Sequence, residues 1–207
     1  MVKKFYSLKT MTLLRLDRFK YAWQLQRLLA ALVLMACGSS GSYSDLLEEE
    51  LSSGVKNDSI FFNIYFGDSR KDFFNKCWEQ NKKGILYHGA SNQTVGYTIK
   101  QPTDSVSDII MRFYPDFSKA EEIRKMDITF AFSGWAIWND HLHASELVPY
   151  VSDILLKWYK GNPFYIQSGE DGSNSLIKID GNREIKIWYT GNHYVNVSIE
   201  DKSYNTK

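Results

Sequence analysis

The chain is poor in the residues that stiffen or cross-link a protein. Its 207 residues include two cysteines and four prolines, so one disulfide is the most it could form and a disulfide-stapled scaffold is excluded. Thirteen glycines without a fixed period exclude a collagen-like or low-complexity chain. No apolar run reaches the eighteen or so residues of an ordinary membrane-spanning helix. There is no Walker loop and no G-x-G-x-x-G, which removes the usual phosphate cradles. A formal net charge of +1 leaves no general excess with which to hold nucleic acid, and none is expected as a partner.

Aromatic residues are abundant: six Trp, thirteen Tyr and twelve Phe, 15% of the chain, within 43% hydrophobic residues. That composition supports a packed core and excludes wholesale disorder. Charge is segregated. Lys3, Lys4, Lys9, Arg15, Arg18, Lys20 and Arg27 stand against the single acid Asp17 in residues 1–36, so the remainder is mildly acidic. The basic stretch runs into the apolar segment Leu28–Ala36, which has the length of a signal-peptide core. The long basic region leaves Met11 as an alternative start.

The segment Leu34-Met35-Ala36-Cys37-Gly38 resembles the bacterial lipobox, in which small residues precede a cysteine that is acylated and becomes the first mature residue. The resemblance implies a lipoprotein signal peptide over 1–36, lipidation at Cys37 and attachment through more than one acyl chain, enough for stable anchoring without a span. With Gly38 after the cysteine, it also implies the outer membrane of a Gram-negative cell envelope. With Cys37 acylated, Cys77 has no partner, and its place beside Phe73, Phe74 and Trp78 predicts a buried, inert thiol.

Residues 37–58 have the composition of a flexible tether with a short helix at 45–51, and an α+β domain is expected over 59–207. Ser59–Phe66 is rich in strand formers. Gly67-Asp68-Ser69 then supplies a turn and an N-cap, predicting a helix over 69–82 with Gly84 as its stop. Period-two segments follow at 85–88, 95–100, 109–114 and 127–133. A second helix is expected over 144–160, ending at Gly161-Asn162-Pro163, followed by strands at 164–167, 176–180, 184–189 and 194–200. The fold class is therefore α+β, with antiparallel sheet and two helices packed on one side. An offset of 77 lays Gly84 on Gly161 and aligns apolar positions of the helices, which predicts a tandem helix-plus-sheet duplication with halves 59–138 and 139–207. The alternative is that any α+β domain repeats this order.

Gly67-Asp68-Ser69 after a strand-forming segment also resembles the first block of GDSL-type ester hydrolases. Asp140-x-x-His143 has the spacing at which that family places its acid and base, so a triad of Ser69, Asp140 and His143 can be written. Against it, the intervening residues read as strands, Arg70 stands where leucine is expected, and a long segment follows His143. An N-cap role for Ser69 needs no chemistry. Asp140, His141 and His143 offer half a metal site; no further ligand cluster accompanies them, so no metal or cofactor is expected. Trp135 and Trp138 in Gly134–Asn139 are the most unusual pair, either a buried plug between the halves or an exposed aromatic platform for protein or sugar.

The run Phe66–Phe74 with Cys77-Trp78, and Phe130–Ala136 with Trp138-Asn139, resembles a group of small lipoproteins from Gram-negative gut anaerobes. That resemblance implies a location and no catalytic residues. More distantly, helix followed by antiparallel sheet, taken twice, is similar to the fold shared by SmpA/OmlA lipoproteins and beta-lactamase inhibitor protein, although those carry two short helices before each sheet. The reading that follows is a lipid-anchored, non-enzymatic envelope protein binding a protein partner or glycan. The alternatives are an ester hydrolase through Ser69 and an inhibitor of a secreted enzyme.

Overall fold

A computed structural model describes residues 42–89, 93–102, 107–169 and 172–206. The expected signal segment and Cys37 lie outside the described residues. Tyr43–Lys207 forms one compact unit. Among the described residues it holds three α-helices, α1 (Tyr43–Ser52), α2 (Arg70–Lys82) and α3 (Ala144–Trp158). Eight strands accompany them: β1 (Tyr87–His88), β2 (Val95–Ile99), β3 (Ile109–Phe117), β4 (Ile123–Phe132), β5 (Tyr165–Ser168), β6 (Asn174–Asp180), β7 (Arg183–Thr190) and β8 (Tyr194–Asp201). The class is α+β.

All eight strands join one antiparallel sheet in the order β1-β2-β3-β4-β8-β7-β6-β5. Each half of the chain contributes a meander, and the last strands of the two, β4 and β8, pair at the centre from Lys125↔Glu200 to Phe130↔Val195. The period-two pattern sets what each face carries. Met126, Ile128 and Phe130 lie level with Ile199, Val197 and Val195, and these with Ile185 and Ile187 on β7, all 2% exposed or less. Onto this face packs α3 through Leu147, Val151 and Leu155, each 0% exposed.

At the other end of the core, β3 outruns its neighbour. β2 stops at Val95↔Phe113, while β3 continues to Phe117, and Pro115 falls in that free stretch, where a missing N–H costs no ladder bond to β2. The α2 helix covers this corner: Phe73 is fully buried with its ring edge-on to Phe113, Tyr114 and Phe117. Its start is fixed by a capping box in which Ser69 Oγ accepts from the Asp72 N–H and the Asp72 carboxylate accepts from the Ser69 N–H.

Two expectations for the N-terminal part change. Ser59–Phe66 is not a strand but a tight plug: Ser59 bridges Tyr65, the Ile64 N–H donates to the Phe61 carbonyl, and Phe62 and Asn63 adopt left-handed backbone angles of 51° and 61°. Folding back on itself, the segment still places Ile60, Ile64 and Phe66 in the core. Residues 43–58 are likewise not a free tether but are bonded to the domain. The α1 helix lies against β6, on the side to which Ile177 and Ile179 point. Its half-buried residues Tyr43, Leu46, Leu47, Glu50 and Leu51 recur at helical spacing.

The fastening is the β6–β7 turn, Asp180–Arg183, which is buried. The Gly181 N–H donates to Glu50 (2.7 Å), Asn57 N–H to Asn182 Oδ1 (2.6 Å), Asn57 Nδ2 to the Asp180 carbonyl (3.0 Å), and Arg183 to the Ser59 carbonyl (3.1 Å). Gly181 has a φ of +57°, and a Cβ there would stand 2.2 Å from the Val55 carbonyl oxygen, so the strap can lie this close only over glycine. Beneath the turn, Lys178, 0% exposed, pairs with Asp180 at 2.8 Å and donates to the Asn162 carbonyl, while Asp180 also accepts from the Asn162 N–H and faces Arg183.

Removing one partner of such a pair strands the other's charge away from water. Asp180→Ala should therefore cost about 3–5 kcal/mol by denaturant unfolding. Lys178→Met should cost less, because Asp180 keeps Arg183 and the Asn162 N–H. Equal losses from both substitutions would contradict this ordering.

Candidate functional site

The segment between β4 and α3 carries most of the residues singled out from sequence, and it is built around one indole. The Trp135 Nε1–H donates to the Asn192 carbonyl at 3.0 Å, and its ring stacks on His193 at 3.9 Å and 14°. His193 stacks in turn on Tyr194 at 3.7 Å. The Ala144 N–H, at the start of α3, donates to the same Asn192 carbonyl at 2.9 Å. One carbonyl of the β7–β8 turn thus holds both ends of the segment, and Trp135 is the half-buried plug.

Trp138 does the opposite. It is 85% exposed, beside Ile137 at 64%. The pair stands at the tip of a loop whose base is closed by Trp135 and by a 3₁₀ turn, Asp140–Leu142, with Leu142 buried as its foot. The two tryptophans that the sequence groups together therefore divide, one into structure and one into solvent.

His143 belongs to the same loop base. Its Nε2 lies 3.3 Å from the Ile137 carbonyl and its Nδ1 3.6 Å from Asp140, whose side chain is 90% exposed. His141 is exposed. No group of three or more His, Cys, Asp or Glu that could hold a metal forms among the described residues. The histidine and aspartate instead brace the turn that displays Ile137 and Trp138.

The Ser69 triad is not assembled. Ser69 bridges Glu122, just before β4 begins, and its hydroxyl is 2.5 Å from Asp72. His143 lies past the other end of β4, where the next residue is bonded to Asn192 beyond the Phe130↔Val195 pair. The ten residues of β4 between them span about 30 Å at strand rise, far beyond hydrogen-bond reach. Cys77 is a free thiol, 8% exposed, and burial pushes it up to about 12, so it stays protonated and unreactive.

A second concave feature was not flagged by sequence. A groove of about 500 Å³ opens between α2 and the β1–β2 edge, with Phe74 and Trp78 on the helix side and Tyr87 on the strand side. Phe74 and Trp78 stand four residues apart on α2 and are 49% and 56% exposed. The signal was present in that spacing, but the expected apolar stripe included Phe73 and Cys77, and only these two turn inward.

Electrostatics at the loop base concern His193. Burial, then the charge of Arg112, holds its imidazole below the ordinary 6.5. The unfolded chain accepts a proton near 6.5 while the folded chain resists it. This contribution is therefore complete above pH 6.5 and is lost as pH falls below that value. Stability measured from pH 7.5 down to about 5.5 should decline, and His193→Gln should flatten that limb; an unchanged limb would remove His193 as its source. Trp135→Ala should cost about 2 kcal/mol, less than a fully buried aromatic, whereas Trp138→Ala should stay within about 0.5 kcal/mol, both read from thermal melts.

No helix among the described residues is long and apolar enough to cross a membrane. Comparison of the chain with known protein families finds no match. Neither the curated proteins nor the solved structures contain a match to it.

Proposed function

We propose that the chain is a lipid-anchored protein of the bacterial cell envelope, in the outer membrane, that acts by binding a protein partner through Ile137 and Trp138. The observation that carries the reading is the 85% exposure of Trp138 on a loop braced from below. Exposing an indole and an isoleucine side by side forgoes burial worth several kcal/mol, about 25 cal/mol per Å² of apolar surface. A preformed loop presents them with little ordering cost on binding, and a tryptophan in a partner's pocket is the commonest kind of interface anchor. Two side chains at a tip suit a pocket in a protein better than the extended face of a glycan.

The fold supports the anchoring geometry. Tyr43, at the start of α1, donates to Glu184 at 2.5 Å near the beginning of β7, whereas Trp135 is held at Asn192 beyond its end. These points lie roughly 20–25 Å apart along the strand. Five residues separate Cys37 from Tyr43, a reach of at most about 20 Å. In this reading an acylated Cys37 tethers the domain to the bilayer from its α1 end.

Tandem duplication belongs to the same proposal. Two helix-then-four-strand units meet in mirrored order about β4 and β8, and Gly84 and Gly161 close the two helix segments with positive φ. This arrangement also supports the architectural likeness to SmpA/OmlA lipoproteins and beta-lactamase inhibitor protein as a proposal. The enzyme-inhibitor alternative calls for an aromatic-lined sheet face; the rows facing away from α3 carry Tyr114, Trp188 and Tyr194 among Arg112, Asp127, Thr129, Lys186 and Asn196.

Two measurements test the reading. Cys37→Ser should leave an unprocessed precursor that fails to remain with membranes, and normally processed protein in the membrane fraction would contradict the anchor. A photo-crosslinking residue at position 138 should give a discrete protein adduct in intact cells, with none from exposed position 119. Equal adducts at both positions, or none at 138, would contradict the binding role.

A further inference from the structure

The groove between α2 and the β1–β2 edge has a lining that specifies a ligand class different from the partner of the Trp138 tip. Its walls are aromatic, lined by Phe74 and Trp78 from α2 and by Tyr87 from β1. Tyr87 is fixed in place, since its hydroxyl shares a hydrogen bond with Thr98 at 3.1 Å and its ring lies flat over Gly96, where a Cβ would stand 2.3 Å from a ring carbon. Phe74 is braced edge-on by the buried Phe73 at 5.4 Å. Three rings are thus open to solvent, two of them, Phe74 and Tyr87, braced in place.

The polar side chains of the lining include the Asn75, Asn81 and Gln93 amides, the Thr94 hydroxyl and the His88 imidazole. Asn75 and Asn81 line the groove, and the Asn81 Nδ2 donates to the Leu86 carbonyl at 2.8 Å, which fixes the amide. No Asp, Glu, Lys or Arg is among the described lining residues. The Lys82 ammonium, 5.5 Å from the centre of the Trp78 ring, is paired with Glu79 at 3.0 Å, so a charged ligand would have to compete with that pair, and a bare acyl chain would cover the amides without satisfying them. The volume of about 500 Å³ lies within the range of small-molecule clefts.

We infer that this groove binds a neutral saccharide of about two rings, stacking its C–H faces on Trp78 and Tyr87 and bonding its hydroxyls to the Asn75 and Asn81 amides. A sugar ring presents an apolar face and a rim of neutral hydroxyls, which is the complement of these walls and this rim. Gly96 is part of the device, because only a residue without a side chain lets the Tyr87 ring lie across β2.

The test uses the full-length chain in a polyoxyethylene detergent, which carries no sugar head group. Maltose, cellobiose and N,N′-diacetylchitobiose are titrated by saturation-transfer NMR, with N-acetylneuraminate as an anionic comparison. At least one neutral disaccharide should saturate with a dissociation constant on the order of 1 mM or tighter. Trp78→Ala should weaken that binding at least about tenfold and Trp78→Phe should restore most of it, as expected when about 1.4 kcal/mol of contact is lost and regained. Trp78 is 56% exposed, so the substituted chain should melt as the parent does, and Trp138→Ala should leave the sugar affinity unchanged. Failure of all three disaccharides to saturate, indifference to Trp78→Ala, or preference for the anionic sugar would each overturn the assignment. None of these outcomes bears on the protein partner of the Trp138 tip.

Discussion

A hairpin turn that is buried instead of exposed holds this protein together. Asp180–Arg183 has the composition of an ordinary β-turn, yet it accepts and donates bonds to Glu50, Asn57, Asp58 and Ser59 while sealing Lys178 and Asp180 beneath it. The backbone polar groups of the strap need these partners once water is excluded, and the turn needs the strap for the same reason. The Arg183 guanidinium then lies 4.4 Å over the Tyr159 ring, and the Tyr159 hydroxyl donates to the Ile60 carbonyl. The clasp thereby joins α1, the 59–66 plug, the end of α3 and the second meander, and it sets where the N-terminal segment enters the domain.

Much of the regular structure was legible because local chemistry and burial agree. Gly67-Asp68-Ser69 signals the start of α2, where Ser69 forms a capping box with Asp72. Alternation at Ile128, Phe130 and Phe132 predicts a strand with one wet face, and these residues lie on the core face of β4. The hairpin chemistry of Asp180–Arg183 and Thr190–His193 correctly marks two turns. Ser59–Phe66 was misread because strand propensity is blind to a loop that folds back on itself and still buries Ile60, Ile64 and Phe66. Residues 43–58 were misread because their acidic, serine-rich composition suits a solvated tether, while their polar groups are in fact spent on a turn more than a hundred residues away.

The candidate site was legible in part. Trp135 and Trp138 stand out in the sequence, but spacing alone does not say that one indole bonds a carbonyl of the β7–β8 turn and the other meets solvent. Ser69, Asp140 and His143 satisfy a catalytic spacing on paper, and the length of β4 keeps them apart. The groove was missed because its walls come from separate elements, α2 and the first hairpin, and because its aromatic residues look like core material until one sees which half of the α2 stripe faces inward.

In the function proposed for the chain, the clasp fixes the end of the domain next to the anchor, the sheet acts as a spacer and the loop braced by Trp135 presents Ile137 and Trp138 at the far end. The most direct measurement places a nitroxide at Trp138→Cys or at Lys56→Cys in membrane-anchored protein, Cys77 being buried and unreactive. Relaxation by a nickel chelate fixed to lipid head groups is then read at each position. The account predicts strong relaxation at position 56 and little at 138; strong relaxation at 138 would show the tip lying on the bilayer and would contradict it.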